Sequence, residues 1–310
     1  MSEPYIVAIG NACFDEYYEA DAWVAEGDKL LVRPMEKKAG GMIPNAASVL
    51  AGYGDHTYLI DYMNDGPGNT ELKRQLAAFG LDVSHVVTDN RLPDAKCIIL
   101  LTPTERTIFV LDYERPPRLV SAENMALLRG AAYIYTSATE LHRFVNYMEL
   151  IDDWRAHGSK LVLDMETATF QNSSDPLFRK ADVLFFNDAG WAKYVGSGDP
   201  QTCVQTLLDG GCSHVIITLG ADGCECFSRD AHARVPGMKV RTVDTTGAGD
   251  TFNASFVHCL LHRMPLDEAA RFSNAAAARS TTILGPKGGV ASAAVVRDFL
   301  RDYFRKELSV

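Results

Sequence analysis

Five short stretches of this chain are apolar almost without interruption: residues 5–9, 131–135, 160–163, 183–186 and 214–219. A strand with one wet face alternates apolar and polar residues, so a strand without alternation has both faces covered. From residue 131 onward these runs alternate with stretches of helical spacing. That pattern predicts an α/β fold, a mainly parallel sheet with helices on both faces. In such sheets ligands bind beyond the carboxyl ends of the strands. The residues found there are Asp15, Glu140, Asp164, Asn187 and Gly220, and a sixth, Asp250, follows the extended run 234–243.

The stretch around Asp250 is the most informative. It reads Val243-Asp244-Thr245-Thr246-Gly247-Ala248-Gly249-Asp250-Thr251-Phe252, and Phe252, Phe256 and Leu260 continue at helical spacing. Two glycines and an alanine let the backbone turn tightly and leave room for a ligand. The first N–H groups of the helix that follows are unpaired, and its dipole is positive at that end, which suits an anion such as phosphate. Asp250 sets a carboxylate beside that anion site. It repels phosphate, so its use there is as a base taking a proton from an attacking hydroxyl. The plainer reading is a helix-capping Asp. No Gly-Lys-Ser/Thr follows, and the third glycine of a dinucleotide fingerprint is missing.

Composition narrows the partners. A net charge of −10 over 310 residues argues against nucleic acid or an anionic membrane surface. Seven cysteines without regular spacing give no disulfide framework and no zinc pattern. No run of about 18 apolar residues occurs, and the opening residues lack a basic, then apolar, leader, so a cytoplasmic protein is expected.

Earlier in the chain, residues 5–9 form the first strand and end at Gly10. Residues 20–38 are charged and mixed. Gly40-Gly41-Met42-Ile43-Pro44-Asn45 leads into a helix reaching about Tyr53, with Pro44 suited to its first turn. Residues 57–60 are a strand and 70–79 a helix closed by Gly80. The β-rich runs 96–101 and 107–111 flank Thr102-Pro103-Thr104-Glu105-Arg106, a hairpin signal. One helix is expected over 141–157, a short one over 192–195, a longer one over 201–208, and another over 268–282.

The run Asp244 to Phe252 resembles the C-terminal signature of the ribokinase (PfkB-type) family of carbohydrate kinases. Gly40 to Asn45 resembles that family's N-terminal signature, and Thr218-Leu219-Gly220-Ala221-Asp222-Gly223 its nucleotide loop. The matches fall in the family's order and span nearly the whole chain. The resemblance implies one ribokinase-like kinase domain over 1–310, with a small β lid built from two segments, about 12–40 and about 92–115. It implies ATP-dependent phosphorylation of a hydroxyl on a small sugar or sugar-like substrate. Asp250 would be the base, and the backbone of Gly247, Ala248 and Gly249 would form the anion hole. Asp15, Gly40, Gly41, Asn45 and Glu140 would hold the acceptor, with the two glycines as lid hinge. Asn187, Thr218, Gly220, Gly223 and Asn274 would face the nucleotide. Magnesium is implied with ATP, and a monovalent cation, potassium, at Asp244 and Thr246.

Several of these residues have plainer readings: a turn Asp at 15, a helix-starting Asn at 45, a solvated loop Glu at 140, and a hairpin turn at Asp222-Gly223. One departure from the family is clear. Asn187-Asp188-Ala189-Gly190 ends in glycine where the family commonly has a Glu that helps hold magnesium. Magnesium is then expected to lean on phosphate oxygens and water. Two other functions remain open. One is a nucleoside kinase, with Tyr17, Tyr18 and Trp23 flanking a base. The other is a sugar-binding protein that has lost catalysis. A lid sheet with one apolar face also suggests a homodimer through the lid.

Overall fold

A computed structural model describes residues 3–103 and 105–307; Thr104, inside the expected hairpin turn, lies outside the described residues. In chain order the elements are β1 (Ile6–Ile9), β2 (Cys13–Glu19), β3 (Arg33–Gly40), α1 (Met42–Tyr53), β4 (Thr57–Ile60), β5 (Tyr62–Met63), α2 (Pro67–Ala78), β6 (Val87–Thr88), β7 (Lys96–Leu101), β8 (Arg106–Val110) and α3 (Ala122–Gly130). There follow β9 (Tyr133–Thr136), α4 (Ala138–Leu141), α5 (Tyr147–Ala156), β10 (Lys160–Met165), β11 (Val183–Asn187), α6 (Asp188–Val195), α7 (Pro200–Asp209), β12 (His214–Thr218), β13 (Cys224–Ser228), β14 (His232–Val235), α8 (Ala248–Leu261), α9 (Leu266–Ser280) and α10 (Ala293–Glu307).

The apolar runs become the centre of an eight-stranded sheet in the order β14-β13-β12-β11-β10-β9-β1-β4. Strands β4 through β12 in that order are parallel, and the hairpin β13–β14 closes one edge antiparallel. β1 shows why unbroken apolar sequence was needed. Ile6 and Ala8 join one core with Leu59, Phe185 and Phe256, while Val7 and Ile9 join a second core with Ile134, Leu163 and Trp154. All four β1 residues are fully buried, and each large aliphatic side chain contributes about 1.5–3 kcal/mol by leaving water.

A second sheet, β3-β2-β7-β8, draws its strands from the two segments expected for the lid. Its centre is a parallel pairing of β2 with β7, Phe14 beside Lys96 through Glu19 beside Leu101. It leaves apolar side chains of β8 exposed, Ile108, Phe109 and Val110 among them, and Trp23 stacks on Phe109 at 6.2 Å.

Three stretches differ from the sequence reading. The single helix expected over 141–157 is two helices. Residues 142–146 turn around a bridge of Phe144 to Arg118, in which the Arg118 N–H donates to the Arg143 carbonyl at 2.8 Å and the Val145 N–H to the Arg118 carbonyl at 3.3 Å, while Phe144 packs into the core. The extended run 234–243 pairs only as far as Val235. Pro236 then removes a donor, and Gly237 packs so tightly that a Cβ there would lie 1.9 Å from the Ala221 carbonyl. α6 begins at Asp188 rather than Ala192, because the Asn187 side chain accepts from the Gly190 N–H at 2.7 Å and caps it. Helices α3 and α10 were not read from the sequence. Among the described residues no helix is long and apolar enough to cross a membrane.

Candidate active site

The loop between β14 and α8 ends at Gly247, whose φ of +76° belongs to the left-handed region. A Cβ there would lie 2.3 Å from the Pro286 carbonyl, so glycine is required both by backbone angle and by space. At Gly249 a Cβ would meet nothing within 4 Å, which leaves the first turn of α8 open on that side. The Ala248 N–H donates to the Thr245 carbonyl at 3.2 Å. The N–H groups of Gly249 and Asp250 have no acceptor among the described residues, so they are the donors offered to an incoming anion.

Asp250, in this first turn, accepts from Asn45 Nδ2 at 2.8 Å. Its carboxyl is held well above the usual carboxylate range by burial, then by the charges of Asp164 and Glu166. The residue is only partly covered, so a ligand can reach it. Asn45 Oδ1 is buried without a partner, an acceptor waiting for a hydroxyl.

The side facing Asp250 is built by β2, β3 and the start of α1. Asp15 is buried, and its carboxyl is pushed up to about 6 by burial, against the opposing pull of the Cys13 thiol and Lys287. It rests on Gly40, where a Cβ would fall 2.1 Å from a carboxylate oxygen. Gly41 takes φ +101°, and a Cβ there would lie 2.4 Å from the Asn11 carbonyl. Both glycines thus let the chain pass close to Asp15, Asn11 and Ala12. Lys287 reaches the same place from the loop after α9. Its Nζ donates to the Pro44 carbonyl and to Ser48 Oγ, each at 3.0 Å. Burial lowers its ammonium to about 7, and Asp250 and Asp15 oppose that shift. The sequence reading had taken this loop only as a wall; a lone Lys among glycines gives no signal of its own.

Glu140 sits elsewhere than expected for a free acceptor contact. Both its oxygens face arginines: Oε2 accepts from Arg118 Nη1 at 2.6 Å, and Oε1 lies 3.6 Å from Arg143 Nε.

The carboxyl ends of β10 and β11 add an acidic group that the sequence reading noticed only in part. Asp164 is buried and accepts from Tyr135 Oη at 2.6 Å and Asn253 Nδ2 at 2.9 Å. Glu166, two residues on, was missed. Its carboxyl is pushed up to about 7 by burial and by Asp164, and it has no side-chain partner among the described residues. Burial and the Asp164 charge raise Glu166, and burial with the charges of Asp164 and Glu166 raises Asp250, so a cation near this acidic group would ease it, and carboxylate oxygens suit magnesium. Among the described residues the three carboxylates do not gather closely enough to hold one ion between them. Gly190 does not belong to this acidic group: a Cβ there would lie 2.2 Å from the Met165 carbonyl, so β10 itself occupies the space that a side chain would need.

Thr218 stands at the end of β12 beside Asn187 of β11. Gly220, at φ +55°, has open space where a Cβ would be, whereas at Gly223 a Cβ would lie 2.0 Å from the Val235 carbonyl. Gly220 is thus exposed and open on that side, and Gly223 allows the turn back into β13. Asn274 donates to the Pro236 carbonyl at 2.7 Å, which ties α9 to the loop beyond β14.

Asp244 and Thr246 are brought together, but they do not fit a monovalent cation. Asp244 Oδ1 accepts from the Thr246 N–H at 2.9 Å, from Thr246 Oγ1 at 2.7 Å and from Arg106 Nη1 at 3.2 Å. Its Oδ2 accepts from the Gly285 N–H at 2.8 Å. Arg106, from the start of β8, also donates to Thr246 Oγ1. The positive charge at this place is a guanidinium.

Known proteins share the fold described above. The family model described as pfkB family carbohydrate kinase matches residues 3–290. A ribokinase of Haemophilus influenzae is 27% identical over 304 residues, covering 95% of this chain and 98% of that protein. The structure of an Arabidopsis thaliana ribokinase complexed with ribose and ATP superposes with a TM-score of 0.83 at 20% identity, over 97% of this chain and 99% of that one. A putative ribokinase II from E. coli, in complex with ATP and magnesium, gives 0.76 at 17% identity over 96% and 99%.

Proposed function

The chain belongs to the pfkB family of carbohydrate kinases and is an ATP-dependent enzyme of that kind, and we propose that it transfers the terminal phosphoryl of ATP to a hydroxyl of a sugar-like acceptor held between Asp15, Asn45 and Asp250. The observation that carries this reading is the hydrogen bond from Asn45 to Asp250, because it puts an acceptor-facing amide beside a carboxylate at an open helix N-terminus.

Asp15 and Asn45 Oδ1 orient the acceptor by taking hydrogen bonds from its hydroxyls. Asp250, ionised, accepts the proton of the attacking hydroxyl. A carboxyl raised by burial and by like charges is a stronger base once ionised. Lys287 holds part of Asp250 in that form. The N–H groups of Gly249 and Asp250 take up charge on the transferring phosphoryl, where fixed donors cost no reorganisation. Magnesium bound near Glu166 and Asp164 would neutralise phosphate charge. Gly220 and the end of β12 face the nucleotide. The small sheet, joined to α1 through Gly40 and Gly41, is the lid, and its closure keeps water from the phosphoryl.

The test is Asp250→Asn. Turnover should fall by about 10²–10⁴-fold, the usual range for a general base, with ATP binding little changed. Retention of most of the wild-type turnover would show that another group takes the proton.

A further inference from the structure

Beside the acceptor site lies a cluster that the mechanism does not use. Arg115, Arg118 and Arg143 converge on Glu140 and Asp61. Arg118 Nη1 pairs with Glu140 at 2.6 Å, its Nη2 lies 3.9 Å from Asp61, and Arg143 Nε lies 3.6 Å from Glu140. Three cations thus face two carboxylates, a local excess of positive charge in a protein of net charge −10. Each of the three arginines also keeps one buried nitrogen with no hydrogen-bond partner: Arg115 Nε, Arg118 Nη2 and Arg143 Nη1. Arg118 is only 4% exposed. Burying a guanidinium nitrogen unpaired costs free energy that a fold does not spend three times in one place without a return. Burial and Arg143 already lower the Arg115 guanidinium below its ordinary value.

The cluster is not sealed. Arg115 and Arg118 line a cavity of about 280 Å³ with Tyr62, Thr88, Arg91 and Leu119. The Arg118 guanidinium carbon lies over the Tyr62 ring, 4.8 Å from its centroid, and its Nη2 is the donor left to be met. The backbone leads from this cluster to the acceptor residues. Asp61, which faces Arg118, accepts from the Ala12 N–H at 2.7 Å, and Asn11 and Ala12 are the residues on which Gly41 packs.

We propose that the arginine cluster binds an anionic group carried by the acceptor, a terminal phosphate or a carboxylate. This deepens the kinase reading and rests on it for the position of the reacting hydroxyl. The reacting site, reached from the arginine cluster through Asp61, Ala12 and Gly41, is acidic, with Asp15, Asp164, Glu166 and Asp250 near Lys287. An anionic group would be repelled there and held at the arginine end, where planar guanidinium groups match the paired oxygens of phosphate or carboxylate. Opposite charges at the two ends would fix which end of the acceptor meets Asp250.

The experiment is calorimetric binding without nucleotide, using matched pairs: D-ribose and D-fructose with their terminal phosphate monoesters, and D-glucose with D-gluconate. At least one anion is expected to bind tenfold or more tightly than its neutral parent, with affinity falling as salt rises. The phosphate pairs and the carboxylate pair tell the two sources of charge apart. Arg115→Gln and Arg143→Gln should each erase the difference within the responsive pair, and Arg143→Lys should keep part of it. Binding of no anion, or equal binding within every pair, overturns the inference, and the wild-type measurement decides this even where a variant folds poorly. Phosphorylation of a neutral sugar with no preference for anions would sink the arginine assignment and leave the kinase reading standing. Tight anion binding with no phosphorylation of any acceptor would do the reverse.

Discussion

At the scale of single residues, the site stores unfavourable charge that a cation would relieve. Asp15 and Glu166 have carboxyls raised to about 6 and about 7. Below the usual carboxylate range both folded and unfolded chains hold these protons. Between that range and about 7 the folded protein holds protons that the unfolded chain has lost, so these groups make stability fall as pH rises. Lys287 has the opposite sign. Its ammonium is lowered to about 7, so above 7 the unfolded chain holds a proton that the folded one lacks, and stability rises with pH. These groups alone place the minimum near neutrality. Magnesium bound at Glu166, as proposed above, would displace its proton, so the stabilising effect of magnesium should grow between about pH 6 and about pH 8. Melting temperatures with and without magnesium chloride at fixed ionic strength would show this, and Glu166→Gln should flatten the trend. An upshift equal at both pH values would remove Glu166 from the magnesium site.

At the scale of elements, α6 shows how packing overrides a motif. The sequence invites restoration of a glutamate at residue 190, but the Met165 carbonyl stands 2.2 Å from the position of the first side-chain atom. Gly190→Glu should cost about 1–3 kcal/mol, as overpacking does, lower the melting temperature by a few degrees and leave turnover no better than wild type. A variant with raised turnover would show that β10 yields and that residue 190 can reach the metal. The same junction marks what the sequence could and could not convey. Strand identity was legible because β1, β10, β11 and β12 bury both faces, which suppresses alternation. The glycines at 40, 41, 247 and 223 were legible because tight turns exclude other residues. Glu166 was not, because a carboxylate beyond a strand end looks like any solvated loop residue until its neighbours are known. Nor was the break in the helix over 141–157, since it depends on a backbone pairing with Arg118, more than twenty residues upstream.

At the scale of the whole molecule, the small sheet and the segment between β2 and β3 carry exposed apolar side chains. Leu31 is 93% exposed and Val110 74%, and Trp23, 55% exposed, stacks on Phe109; exposed apolar surface of this kind favours covering. We propose that two copies associate through this face. Light scattering after size exclusion should give a dimer, and Val110→Lys with Leu31→Asp should give a folded monomer. A wild-type protein that stays monomeric at high concentration would refute the association. Sequence made this face visible in outline only. Residues 20–38 carry too mixed a pattern to assign which side chains face out, and a slip of one residue would reverse them all.

The pairing of β2 with β7 has a consequence for how the chain is made. Residues 14–19 lie between partners that include residues 96–101, and β1 between strands at 57–60 and 133–136. Closing such long loops costs conformational entropy before any contact repays it. As the polypeptide leaves the ribosome, its first forty residues must therefore wait, unpaired on one side, for chain not yet synthesised. The binding surface for the acceptor, carried on β2, is thus completed only after about a third of the protein exists. A nascent chain halted before that point presents open strand edges to its neighbours, and this is where a requirement for chaperones during synthesis would fall.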